Sequence, residues 1–176
     1  MRFCPSLLAI TLFITSYATV AGAQDVRERF SGTFHYAGSA QEQEARRAAI
    51  DRAVAGMSFV IRSTARSRIT ATTQILDSYA FSFEPQKIIV RPSSRPEMIT
   101  ADNGVPVDYV YKNSHSKLVQ QFVGDRISQV FTSDDGKREN EFTLSPDGKT
   151  LNVKVTLSGA RLPTPVVYTL TYAKAG

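Results

Sequence analysis

Residues 118–157 read LVQQFVGDRISQVFTSDDGKRENEFTLSPDGKTLNVKVTL. Three turn signals, Gly124-Asp125, Ser133-Asp-Asp-Gly136 and Ser145-Pro-Asp-Gly148, divide this stretch into four short runs. Within the last run Leu151, Val153, Val155 and Leu157 alternate with Asn152, Lys154 and Thr156, the period-two pattern of a strand with one apolar face. Closely spaced strands joined by tight turns predict an antiparallel meander. The two Asp-Gly-Lys turns stand 12 residues apart, which is hairpin spacing and not a true repeat.

The pattern extends in both directions. Downstream, Val166, Tyr168, Leu170 and Tyr172 continue the alternation. Upstream, Tyr79, Phe81 and Phe83 alternate, and Glu84-Pro85-Gln86 turns the chain into Ile88-Ile89-Val90. Met98 to Thr100 and Val105 to Tyr111 flank Asn103-Gly104, a dipeptide that accepts the positive φ angles of a hairpin turn and so predicts that these two strands pair. Pro106 cannot donate to a ladder, so its strand lies at an edge or begins there. Phe30, Gly32, Phe34 and Tyr36 form a first strand.

Between that strand and the meander, Ser39 to about Thr64 is the one strongly helical segment. Ser39 and Glu42 have the spacing of a capping box. Ile50, Val54, Met57 and Ile61 recur with helical spacing, with Gly56 in mid-helix at a cost of about 1 kcal/mol relative to Ala. Ser67 to Thr73 is Thr-rich and reads as a frayed end or connector. The expected fold is α+β: a curved antiparallel meander or barrel of nine or ten strands, packed around one long amphipathic helix inserted after the first strand. Closure would remove the sheet's edges.

The N-terminus carries a separate message. Arg2, an apolar run from Leu7 to Val20 and Ala21-Gly22-Ala23 describe a secretory signal peptide cleaved after Ala23. Residues 1–23 are thus a signal and residues 24–176 a single domain, exported to the periplasm or beyond, with no transmembrane span left after cleavage. The apolar run is too short to span a bilayer, which needs about 20 apolar residues. The only cysteine, Cys4, lies in that signal, so the mature domain holds together without disulfides. The signal has one Arg and no acid, so its removal takes the net charge from +5 to +4. The basic residues are scattered and lack the dense stripe of a nucleic-acid binder. Their one cluster, Arg62, Arg66 and Arg68 on the helix, could touch an anionic surface or be a solvated face.

The tract Phe142-Thr-Leu-Ser-Pro-Asp-Gly-Lys-Thr-Leu-Asn-Val153, with the meander around it, is similar to the lipocalin-like (calycin-type) barrels of secreted bacterial proteins. The resemblance covers the C-terminal half. It departs at Gly32-Thr-Phe34, where lipocalins carry Gly-x-Trp, because this chain has no tryptophan. Lipocalins also place their helix after the barrel. The resemblance implies a barrel that holds a small apolar ligand, and it assigns no residues.

Catalytic and metal motifs are absent from the sequence. His35 and His115 belong to no spaced ligand set, the Asp-Gly turns lack the calcium-loop pattern, and no cofactor motif occurs. There is no Gly-x-Ser-x-Gly elbow. Polar residues in apolar registers are more informative. Gln120 is in phase with Leu118 and Phe122, Gln129 with Ile127 and Phe131, and Asn140 with Phe142 and Leu144. Either these amides line the interior as orienting groups of an apolar pocket, or they sit wet at strand ends, or the opposite register (Val119, Gln121, Val123) is inside. Tyr109, Tyr168 and Met57 are the other candidates for contact with a ligand, although core packing also accounts for the tyrosines.

Three readings of function stand. The first is a non-enzymatic binding protein for a small apolar or amphipathic, lipid-like ligand. The second is an interaction or envelope module whose helix fills the sheet. The third is a barrel isomerase or cyclase, with Asp77, Asp108 or His35 as acid or base. A cavity of a few hundred Å³ between helix and sheet separates the first from the second.

Overall fold

The computed structural model describes residues 25–176. The proposed signal peptide, its cleavage site and Cys4 lie outside them. A helical stretch, α1 (25–30), leads into β1 (Gly32–Tyr36), α2 (Ala40–Val54) and α3 (Phe59–Thr72). Nine further strands follow: β2 (Ser78–Glu84), β3 (Lys87–Pro92), β4 (Met98–Ala101), β5 (Val107–Tyr111), β6 (Ser114–Val123), β7 (Arg126–Ser133), β8 (Gly136–Leu144), β9 (Thr150–Ser158) and β10 (Val166–Lys174). They form one antiparallel sheet in the order β4-β3-β2-β1-β10-β9-β8-β7-β6-β5. The β1–β10 pair, with Phe34 opposite Lys174 and Tyr36 opposite Tyr172, joins two meanders and rolls them into a nearly closed barrel. The expected α+β barrel is what forms.

The helical region differs from the single long helix expected. It breaks at Ala55–Ser58 into an antiparallel pair, and α3 runs through the Thr-rich stretch expected to fray. Arg62 donates to the carbonyls of Ala55 (3.0 Å) and Met57 (2.9 Å), satisfying backbone groups that the break leaves open. Arg66 pairs with Asp51 at 2.8 Å, and Arg46 on α2 donates to the carbonyls of Thr70 and Thr73 at the far end of α3. Only half of the capping box forms. Ser39 Oγ accepts from the Glu42 amide, but the Glu42 carboxylate turns to β10, accepting from Thr171 N (3.0 Å) and Thr171 Oγ1 (2.5 Å). That contact fastens α2 to the barrel. In α2, Ala49, Ile50, Ala53 and Val54 are buried, whereas α3 buries no residue.

At the other end of the barrel α1 acts as a plug. Phe30 is fully buried, while Arg27 pairs with Asp102 and lies over the rings of Phe83 and Phe122. Between the two ends the core is a cluster of rings in edge contact. Phe81 and Phe142 lie 5.2 Å apart at 79°, and Tyr79 and Tyr172 lie 5.2 Å apart at 71°. Burial pushes the hydroxyls of Tyr79, Tyr168 and Tyr172 above the ordinary tyrosine range.

The Asn103-Gly104 hairpin does not form. The chain does turn there, with Gly104 at φ +80° and Asn103 Oδ1 accepting from Val105 N. However, β4 and β5 end up as the two opposite edges of the sheet. Turn chemistry bends the chain but does not choose a partner, and β5 takes β6, whose ten residues offer a complete ladder. Both placements expected from Pro106 are found, since β5 begins directly after it and is an edge strand.

The seam, where β4 faces β6 past the end of β5, is closed mainly by side chains. At its top Tyr111 Oη donates to Ser94 O (3.2 Å), and at its bottom Asn103 bridges Gln121. In the middle Gln120 Nε2 reaches across from β6 to Thr100 Oγ1 (3.2 Å), Ile88 O (3.3 Å) and Met98 O (3.4 Å). Gln120 begins a row. Gln120, Gln129 and Asn140 are direct cross-strand neighbours, all point inward, and all are buried. Arg138 Nε donates to Asn140 Oδ1 (3.0 Å), Asn140 Nδ2 to Gln129 Oε1 (2.7 Å), and Gln129 Nε2 to Gln120 Oε1 (2.8 Å). Every donor points the same way, from the Arg138 cation toward Thr100, so each bond polarises the next.

Two outcomes follow from this core. Gln129→Leu leaves Gln120 Oε1 without a donor and Asn140 Nδ2 without an acceptor, each orphan costing on the order of 1–3 kcal/mol. Urea denaturation should therefore show a loss of roughly 2 kcal/mol or more, while Thr132→Val on the outer face of the same strand stays within about 0.5 kcal/mol. The buried tyrosines set the alkaline limit. Their folded pKa values lie above the unfolded value, so their contribution is complete below about pH 10 and is lost as pH rises beyond it. Tyrosinate absorbance from these residues should appear together with loss of the β circular-dichroism signal; full ionisation with the sheet intact would contradict it.

Candidate functional site

A cleft of about 910 Å³ opens at the mouth of the barrel, beneath the C-terminal end of α3. Arg68, Ala71 and Thr72 form its roof. Its walls come from inward positions at the upper ends of strands: Tyr109 and Tyr111 on β5, Phe131 on β7, Arg138 on β8 and Leu157 on β9. Phe131, Arg138 and Leu157 are direct cross-strand neighbours, one row above the Gln129–Asn140 row. Tyr109 stacks edge-on against Phe131 at 5.4 Å. The rim is completed by the β3–β4 loop at Arg95, the β5–β6 turn at Lys112 and the β7–β8 turn at Asp135 and Lys137.

The cleft is amphipathic. Five cationic side chains (Arg68, Arg95, Lys112, Lys137 and Arg138) face one carboxylate, Asp135. Lys137 is paired with Glu139 at 2.6 Å, and Arg95 and Lys112 both lie over the Tyr111 ring. Desolvation, reinforced by the Arg138 charge, pulls the Arg95 guanidinium below its ordinary range. Burial raises the Tyr109 hydroxyl, whose oxygen is buried with no hydrogen-bond partner. Aromatic and aliphatic walls under a cationic rim suit an anionic amphiphile.

The residues expected to touch a ligand are dispersed. Gln120, Gln129 and Asn140 do face inward, but their hydrogen bonds are used on one another below the cleft floor. Tyr168 is core, donating to Thr73 O at 3.4 Å. Met57 sits in the helix break, where its carbonyl accepts from Arg62. Tyr109 alone of the six lines the cleft. Of the arginine cluster, Arg62 and Arg66 are held within the helix pair and Arg68 stands on the cleft roof. The acid-base candidates lie elsewhere: Asp77 and His35 are exposed, and Asp108 points outward to pair with Lys117 at 2.7 Å. No group of three or more metal-ligating side chains occurs among the described residues, and no helix there is long and apolar enough to cross a membrane.

Neither Arg138 nor Arg95 is among the residues expected from the sequence. Arg138 shares its phase with Asn140 and Phe142, so the alternation that turned the amides inward also turned this cation inward. Arg95 comes from the Pro92–Pro96 loop, where no periodicity exists to orient it.

No protein-family model matches the sequence, and no curated protein is similar to it. Solved structures do resemble the fold. The abundant heat-soluble (SAHS) protein of Ramazzottius varieornatus superposes with a TM-score of 0.56 at 9% identity, covering 84% of this chain and 96% of that one. Fatty-acid-binding protein 1 of Echinococcus granulosus gives 0.51 at 14% identity, with 85% and 99% covered. Zebrafish ileal bile acid-binding protein, in complex with cholic acid, gives 0.50 at 12% identity, with 84% and 99% covered. At these identities the likeness is one of fold, and the fold is the calycin-type β-barrel.

Proposed function

We propose that this protein is a non-enzymatic carrier or receptor for a small amphipathic, lipid-like ligand, held in the cleft between α3 and the sheet. The observation that carries this reading is the cleft itself: about 910 Å³ with aromatic and aliphatic walls beneath a roof that buries none of its own side chains. A space of that size is in the range that encloses a lipid-sized molecule. The solved structures of like fold add support, since one is a fatty-acid-binding protein and another holds cholic acid. A helix pair that filled the mouth would instead have favoured an interaction module.

The basic start, apolar middle and Ala21-Gly22-Ala23 site support export to the periplasm or beyond as part of the same reading. Native mass spectrometry of the protein recovered from its own secretory compartment tests both parts. The expected spectrum shows a chain beginning at Gln24 and carrying a lipid-sized adduct that organic extraction removes. A chain that retains residues 1–23 contradicts export, and failure of the stripped protein to take up any amphiphile contradicts ligand binding.

A further inference from the structure

Arg95 and Arg138 are both half-buried, and they converge on a single acceptor. Arg138 Nη1 donates to Thr72 O at 2.7 Å, and Arg95 Nη2 donates to the same oxygen at 3.4 Å. Thr72 is the last residue of α3, so this oxygen belongs to the negative end of the helix dipole. No carboxylate lies within salt-bridge distance of either guanidinium among the described residues. Two like charges are thus brought together in a partly dry place around one neutral carbonyl. The Tyr109 hydroxyl, buried and unpartnered, lines the same cleft.

Arg138 is aimed by the barrel itself. Its Nε is held by Asn140 Oδ1, the outer end of the amide row that runs back to the seam. Fixing Nε fixes the plane of the guanidinium and leaves its outer nitrogens directed at the cleft. Arg95 is independent of that row and approaches from the β3–β4 loop, stacked on Tyr111 at 5.4 Å.

We propose that the Arg95–Arg138 pair is the head-group site for a carboxylate on an apolar chain, and that the carboxylate takes the place now filled by the Thr72 carbonyl. The inference rests on the cleft being the ligand site. A full negative charge satisfies two guanidiniums better than a backbone carbonyl does, because charge-assisted hydrogen bonds are about twice as strong as neutral ones. The chain of the ligand then lies along Tyr109, Phe131 and Leu157. The interior below this level is occupied by the amide row, so the head group sits at the mouth. Losing Thr72 O from the pair unfastens one of the contacts that hold the end of α3; the Arg46 contacts to Thr70 and Thr73 remain. Asn140 is a positioning residue in this scheme.

Titration calorimetry of the mature protein with dodecanoate and with dodecanol, which share a chain and differ in charge, tests the assignment. The expected result is that dodecanoate binds roughly tenfold or more tightly than dodecanol, a difference of about 1.4 kcal/mol. Arg95→Gln, a loop substitution that leaves the amide row intact, should reduce that ratio severalfold without weakening dodecanol. Arg138→Gln should abolish the preference if it folds. Equal binding of the two ligands, or an undiminished preference in Arg95→Gln, overturns the head-group site and leaves the binding reading standing. Binding of neither overturns both.

Discussion

The fold depends on the side chain of Gln120. A ten-stranded sheet whose end strands do not pair must leave a line of open backbone, and such edges invite association with other chains. Here edge strand β4 faces the part of β6 that extends past the short edge strand β5, and the amide of Gln120 crosses this seam to a hydroxyl and two carbonyls. A buried primary amide without partners would be a liability. This one is satisfied at both ends, because its own oxygen accepts from Gln129. Tyr111 to Ser94 above and Asn103 to Gln121 below complete the closure. The barrel is held at its weakest line by polar groups whose alternatives, once water is excluded, are all worse.

That polar closure extends to the mouth of the barrel. Running from the seam through Gln129 and Asn140, it ends on Arg138, the cation at the mouth. The rows below are rings in edge contact, and α1 seals the far end. What remains open is the space under α3, a helix tied down mainly by arginine contacts, with Ile69 half-buried against the core and no side chain fully buried. A roof attached mainly by hydrogen bonds, with little packing, is displaced at lower cost than the walls.

The strands from β6 to β10 were legible because their alternation is clean and their turns carry Gly, Asn or Asp where a reversal needs them. The same alternation turned Gln120, Gln129 and Asn140 inward, and the alternative register, with Val119, Gln121 and Val123 inside, is not the one adopted. It did not show that the three amides satisfy one another, since that follows from cross-strand register, which is a property of the pairing and not of any one strand. Asn103-Gly104 signalled a turn and suggested a hairpin, but partner choice was decided by the barrel's closure. The break between α2 and α3 has a weak local signal: Gly56 lowers helix propensity by only about 1 kcal/mol, and the compensating bonds from Arg62 come from a residue downstream of the break. The cleft was least legible of all, because it is assembled from a helix end, one loop and two turns that are far apart in the chain.

On the proposed function, ligand is held at the mouth of a barrel whose interior is already full. Assigned NMR spectra of the mature protein recorded as dodecanoate is added test it most directly. Shifts are expected at Tyr109, Phe131, Arg138 and the end of α3, with the side-chain amide protons of Gln120 and Gln129 and the rings of Phe81 and Phe142 unmoved. Large shifts among those interior groups would place the ligand inside the barrel and contradict it.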